Sequence, residues 1–272
     1  MTHPFRAARG AALFFALLLP LPASAVEWMV GGGLATLSYP AYRGAEQRKL
    51  LAVPVPIVSL RSEYWELGRN GAQLDLPGLH NLRIRLSASG SLPVDSDEAS
   101  ARDGMPDLDP SLELGPALTL PLQLGPRLEL RPELLTRAVL ATDLRSVSAI
   151  GWVIQPRLTT TWRPRAPRLE WRLSLGPVYG TRRYHQYFYS VAPRFATPQR
   201  AAYEAHSGYG GWRSSTSISW QHGRLGLGTF LSYDGLGGAV FADSPLVLDR
   251  GYLIGGLFLS WRLAGSAGWD AL

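Results

Sequence analysis

The chain has 272 residues, no cysteine and a formal charge of +6, from 27 Lys and Arg against 21 Asp and Glu. Without cysteine it can rest on no disulfide framework. Its arginines are dispersed, with no dense basic block, which excludes a nucleic-acid-binding arm.

The first element is a leader. Arg6 and Arg9 precede the apolar run AALFFALLLPLP (11–22), and Ala23-Ser24-Ala25 follows as a small-residue cleavage pattern. This layout predicts a cleaved secretory signal peptide over 1–25. As a membrane anchor the run is too short and ends in prolines. Residues 26–263 are the expected folded body and 264–272 a short C-terminal extension. Within that body the best apolar run, LLAVPVPIVSL (50–60), is too short for a spanning helix and carries Pro54 and Pro56. A chain of this kind crosses a bilayer only as a closed barrel, where every strand's backbone groups find partners.

The segment NLRIRLSASG (81–90) sets Leu82, Ile84 and Leu86 against Arg83, Arg85 and Ser87. Strand side chains alternate between faces, so such a segment has one oily and one polar side. The pattern recurs in SLELGPALTL (111–120), GWVIQPRLTTTW (151–162), LEWRLSLGPVY (169–179), LGLGTFLSY (225–233) and YLIGGLFLSWRL (252–263). Helical periodicity is absent, and the class is all-β. Long connections at 39–49, 91–110, 138–147, 181–207 and 236–250 alternate with short ones at 61–63, 77–81, 123–127, 163–168 and 221–224. That is the alternation of extracellular loops with periplasmic turns. Asn70-Gly71 favours a two-residue hairpin and splits 63–76 into two short strands. The expectation is a closed antiparallel transmembrane β-barrel of about 12 strands, with roughly 10 to 14 open.

Aromatic placement supports a membrane. Trp28, Trp162, Trp171, Trp220 and Trp261 fall at the short-turn ends of their strands, on the apolar side. Tyr39, Trp152, Tyr179, Trp212 and Tyr233 lie toward the other end, Tyr39 on the opposite parity. Two interfaces of a bilayer select two such bands. A secreted β-sandwich, the alternative, gives no reason for them.

On the polar side, charges of both signs recur: Arg83, Arg85, Glu129, Arg131, Glu133, Arg157, Glu170 and Arg172, with Asp75 near Arg83. Glu129 or Glu133 should lie across from Arg157, because isolated charges in a narrow lumen are costly. A salt-bridged, largely occluded interior is expected, with a charged constriction that selects solutes as the alternative. The acidic stretch with Asp95, Asp97, Glu98, Asp103, Asp107 and Asp109 lacks the spacing of an EF-hand and reads as a solvated, mobile loop. His185, His206, Ser207, Asp243 and Ser244 fall in outer loops without a G-x-S-x-G elbow, so catalysis is not expected. His80 and His222 sit in short turns. No cofactor or metal set is apparent. Arg163, Arg165 and Arg168 crowd one short turn, with Arg61, Arg127 and Arg224 in others. That basic ring fits acidic partners or lipid headgroups.

Three stretches, YPAYRGAEQRKLLAVPVPIVSLR (39–61), QYFYSVAPRFATPQRAAYEAHSGYGGW (186–212) and ADSPLVLDRGYLIGGLFLSWRL (242–263), resemble signature regions of the MipA/OmpV family of outer-membrane proteins. Leu263 stands where members usually carry a terminal aromatic. The resemblance implies the outer membrane of a Gram-negative bacterium, with lipid and lipopolysaccharide as surroundings. It further implies a non-enzymatic scaffold for a murein hydrolase and a murein synthase. A small-solute channel and a surface adhesin or antigen are the alternatives.

Overall fold

The computed structural model describes residues 26–68, 71–74, 82–143, 145–165 and 168–266. The expected leader over 1–25, together with Asn70, Asp75 and His80, lies outside them.

The described residues fold almost entirely as one curled antiparallel sheet of thirteen strand segments. β1 (Glu27–Pro40) and β2 (Arg48–Arg61) are long, whereas β3 (Trp65–Gly68) and β4 (Gly71–Leu74) have four residues each. β5 (Arg83–Ser91), β6 (Ser111–Thr119) and the short β7 (Leu122–Gly125) follow. β8 (Leu128–Thr142), β9 (Val147–Trp162), β10 (Leu169–Gly180), β11 (Gly208–His222), β12 (Leu225–Gly235) and β13 (Gly251–Gly265) complete the sheet. Sequence neighbours pair except β6 and β7, β13 pairs with β1, and β6 pairs with both β5 and β8. β6 and β7 are two stretches of one path, since both lie along β8 and Pro121 between them has no N–H for the ladder.

The period of two sorts the side chains as expected. Leu134, Leu158, Leu173, Ile218, Leu231 and Leu257 form an exposed apolar band on the outer surface. Trp28, Trp162, Trp171 and Trp261 sit at the short-turn end of that surface, 41% to 51% exposed. Trp162 and Trp171 meet edge to face. Trp220 is only half-buried there and stacks on His222, their ring planes within 7°. Trp152, Tyr179, Trp212 and Tyr233 are comparably exposed toward the loop end, while Tyr39 faces inward opposite Lys49.

Three expectations are corrected. The 181–207 connection contains a helix, α1 (Arg182–Tyr189), which the strand periodicity around it conceals. β13 continues past Leu263, because Ala264 and Gly265 still find Val30 and Met29 on β1. The stretch 91–110 is packed rather than mobile: Val94, Ala99 and Leu108 are buried, and Ser96 donates to Asp107 through N–H and hydroxyl at 2.8 and 2.9 Å.

Gly115 marks where β6 approaches β8. A Cβ there would lie 2.1 Å from the Thr136 carbonyl oxygen. Gly115→Val should separate the two strands and cost about 1–3 kcal/mol, read as a lower urea midpoint for unfolding from micelles.

Candidate functional site

The inward face carries the charges. Glu133 and Arg157 are direct cross-strand partners on β8 and β9, joined at 2.8 Å, and the Thr159 hydroxyl adds a second bond to the same carboxylate. Arg85 reaches Glu133 from β5 at 3.7 Å. Glu129 is held by Arg131 on its own strand and by Gln123, not by Arg157. Glu170 bridges Arg172 and Arg163 at 2.6 and 3.0 Å. Arg83, opposite Thr119, is the most exposed of the expected cluster. Pairing does not fill the interior, however. A cavity of about 600 Å³ remains between Arg85, Arg131, Glu133, Arg157 and Arg172. The loops at one end pack together separately from these charges.

Their contact is an apolar cluster drawn from four connections. Tyr42, Ala99, Leu108, Tyr184, Phe188, Tyr189, Leu236 and Phe241 are buried together. Tyr189 and Phe241 stack with centroids 3.7 Å apart. Backbone oxygens inside the cluster are satisfied by side chains: Tyr42 donates to Leu246, Ser244 to Tyr189, Arg102 to Phe188 and Tyr189 to Arg43. Beneath it lies a polar centre that no sequence motif announced. Asp234, fully buried, accepts from Arg43 at 3.0 Å, from Arg213 at 2.6 and 2.7 Å, and from the Tyr252 hydroxyl at 2.7 Å. One carboxylate thus holds two guanidiniums from different strands and loops. A residue pattern visible beforehand was the parity of Arg213 and Asp234, each flanked by outward aromatics.

His185 on α1 is fully buried. Its Nδ1 bonds the His206 carbonyl at 2.7 Å, and Nε2 has no hydrogen-bond partner among the described residues. Gly180 allows this packing, since a Cβ there would lie 2.3 Å from Nε2. Burial, with Arg43 nearby, pushes the ring down to about 4, so it is neutral at neutral pH. The other hydrolase candidates are not assembled. Ser244 is occupied by Tyr189, Asp243 pairs with Arg250, and His206 and Ser207 are exposed. Among the described residues no three His, Asp or Glu side chains gather as a metal site.

At the short-turn end a cavity of about 530 Å³ opens, lined by five arginines and two glutamates. Arg163 and Arg168 belong to it with Arg61, Arg224 and Arg262, whereas Arg165, though exposed, is not part of the lining.

An antiparallel sheet with an apolar outer face, aromatic ends, a charged inner face and long loops at one end defines the class of outer-membrane β-barrel proteins. The chain belongs to the family of MltA-interacting protein MipA, whose model matches residues 32–263. No curated protein matches it. Among solved structures it is similar to an outer-membrane channel of Pseudomonas putida F1, with 10% identity, 89% of this chain and 97% of that one covered, and a TM-score of 0.42. OmpT of Vibrio cholerae, in a loop-deletion form, matches with 7% identity, 88% and 100% coverage and a TM-score of 0.38. The outer-membrane protease OmpT of Escherichia coli matches with 8% identity, 88% and 93% coverage and a TM-score of 0.31. No residue role is carried over from these.

Two measurements probe the cap. Asp234→Ala leaves two guanidiniums buried against each other and should cost about 3–5 kcal/mol, seen as a lower unfolding midpoint; Asp234→Asn should fall between. An unfolded histidine titrates near 6.5, above the folded His185. Its contribution to stability is therefore complete above pH 6.5 and is lost as the pH falls toward 4. Proteolysis of loop 181–207 should accelerate from pH 7 to pH 5, and less so in His185→Phe.

Proposed function

We propose that the chain closes into a barrel of about twelve strands in the outer membrane, and serves there as a non-enzymatic scaffold for a periplasmic murein hydrolase and synthase. Closure is supported by the pairings, which run from β1 to β6, on through β8 to β13 and back to β1. The outer apolar band then meets acyl chains, the tryptophans meet the interfaces, and the loop cap meets lipopolysaccharide. The leader over 1–25 is removed on export.

The observation that carries the scaffold reading is the contrast between the two ends. Loops cap one, while the other presents an arginine-lined mouth of net positive charge. A cap of this kind weighs against a solute channel, and engaged Ser244 and His185 weigh against hydrolysis. Charge complementarity at such a rim steers an acidic partner surface. The family's printed description, an MltA-interacting protein, names the kind of partner in question.

Charge reversal tests this. Arg163→Glu, Arg165→Glu and Arg168→Glu together should abolish most co-purification of a murein hydrolase from intact envelopes. Unchanged capture would remove the mouth from the scaffold, and the absence of any hydrolase with the unaltered protein would overturn scaffolding. In planar bilayers the unaltered protein should give no sustained conductance steps. Sequencing of the exported protein should begin at Val26.

A further inference from the structure

The sheet has a low wall. A strand that crosses hydrocarbon takes about 9–11 residues, but the described strands between β2 and β5 are only β3 and β4, of four residues each. β2 meets β3 only at Leu60 and Arg61, and β5 meets β4 only at Ile84, Arg85 and Leu86. Above this hairpin, among the described residues, Arg48 to Ser59 of β2 and Ser87 to Ser91 of β5 have no strand on that side. The β5 part of this edge is about 17 Å tall at the usual rise of a strand. Ties between Lys49 and Glu98 and between Gln47 and Ser100 bridge the top. Pro54 and Pro56, two residues apart, deny N–H groups to one edge of β2, as suits a strand without a partner there.

Both interior cavities reach this gap. The 600 Å³ cavity touches Gly68 at the tip of β3, and also Leu86 and Ala88 from the outer face of β5. A neighbouring cavity of about 640 Å³ touches Gly68, inward Val55 and Ile57, and outward Pro56 and Val58 of β2. Both cavities thus border the two strand edges that lack a neighbour among the described residues.

The interior behind the gap has two unlike walls. On one, β2 turns Leu51, Val53, Val55 and Ile57 inward, and the register continues through Ala35 and Leu37 of β1 to Phe258 of β13 and Phe230 of β12. The facing wall gives the 600 Å³ cavity six arginines and one glutamate. Among the described residues Glu113, Glu129, Glu170 and Asp234 pair with arginines of that lining from outside it, Asp234 being shared with Arg43 while Glu133 serves two arginines.

We propose that the gap between β2 and β5 is a lateral entrance from the bilayer, and that the interior binds an acyl-chain amphiphile with an anionic headgroup, carboxylate or phosphate. The chain lies against Val53, Val55, Phe230 and Phe258, and the headgroup meets Arg85, Arg157 and Arg172. Guanidinium forks suit both headgroups. Unpaired backbone at membrane depth is tolerated where it borders a water-filled cavity. The inference rests on the barrel reading, which supplies lipid on the outer side.

The test uses the folded protein in phosphatidylcholine nanodiscs with dansylundecanoic acid as fluorescent probe. Saturable binding is expected, displaced by palmitate, by lysophosphatidate or by both, and not by monopalmitoylglycerol. Stronger displacement by palmitate assigns a free fatty acid, and by lysophosphatidate a phospholipid-derived ligand. Arg157→Gln with Arg172→Gln should raise the Kd by about tenfold or more. The chain has no cysteine, so Ala88→Cys labelled with a bulky maleimide blocks the gap alone and should abolish binding. Heat-modifiable gel mobility checks folding in every variant. Folded protein that binds no probe, yields equally to the neutral competitor, or binds unchanged with Ala88→Cys labelled overturns the proposal. Protein that never enters nanodiscs overturns the barrel reading itself, and the entrance with it.

Discussion

The backbone's period of two commits every strand side chain to one of two surroundings. Leu134 cannot face outward without sending Glu133 and Leu135 inward, and the ladder passes this choice from strand to strand through register. A slip of one residue would place Glu133 on the oily surface and leave Arg85 and Arg157 without their carboxylate. The ion pairs therefore fix register as much as they add stability, since a buried pair is worth little beyond its cost of desolvation.

The same constraint explains why the loops are not passive. Strands leave Arg213 and Asp234 at the mouth of the inner face, where Arg43 joins them from the β1–β2 connection and a single carboxylate would be costly alone. Loops from four places fold inward to dry that centre, and their own backbone oxygens are met by Tyr42, Arg102, Tyr189 and Ser244. Cap and polar centre are thus interdependent, and His185 is neutral because it sits within the dried region.

Much of this was legible in the chain because it is local. Alternation in Leu82 to Leu86 or Trp152 to Trp162 spans a few residues, and the spacing of connections follows from strand length. The Glu133–Arg157 pair was legible for the same reason, lying on strands adjacent in sequence. Asp234 with Arg43 was not, since 191 positions separate them and the inward parity of Asp234 does not name its partner. The 181–207 stretch reads as polar loop, yet Tyr184, Phe188 and Tyr189 turn inward only when α1 forms against Phe241. Apolar burial between distant loops leaves no period to detect.

The first strand and the last are neighbours: Leu34 stands beside Leu259, and the N–H of Ser266 donates to the Trp28 carbonyl at 2.9 Å. β1 is made first and must wait for the final fifteen residues of the sheet before its second edge is covered. A product stopped before Gly251 leaves β1 and β12 both with naked edges, competent to pair with other chains. Completion of synthesis is thereby built into the molecule as a condition for its solitary state.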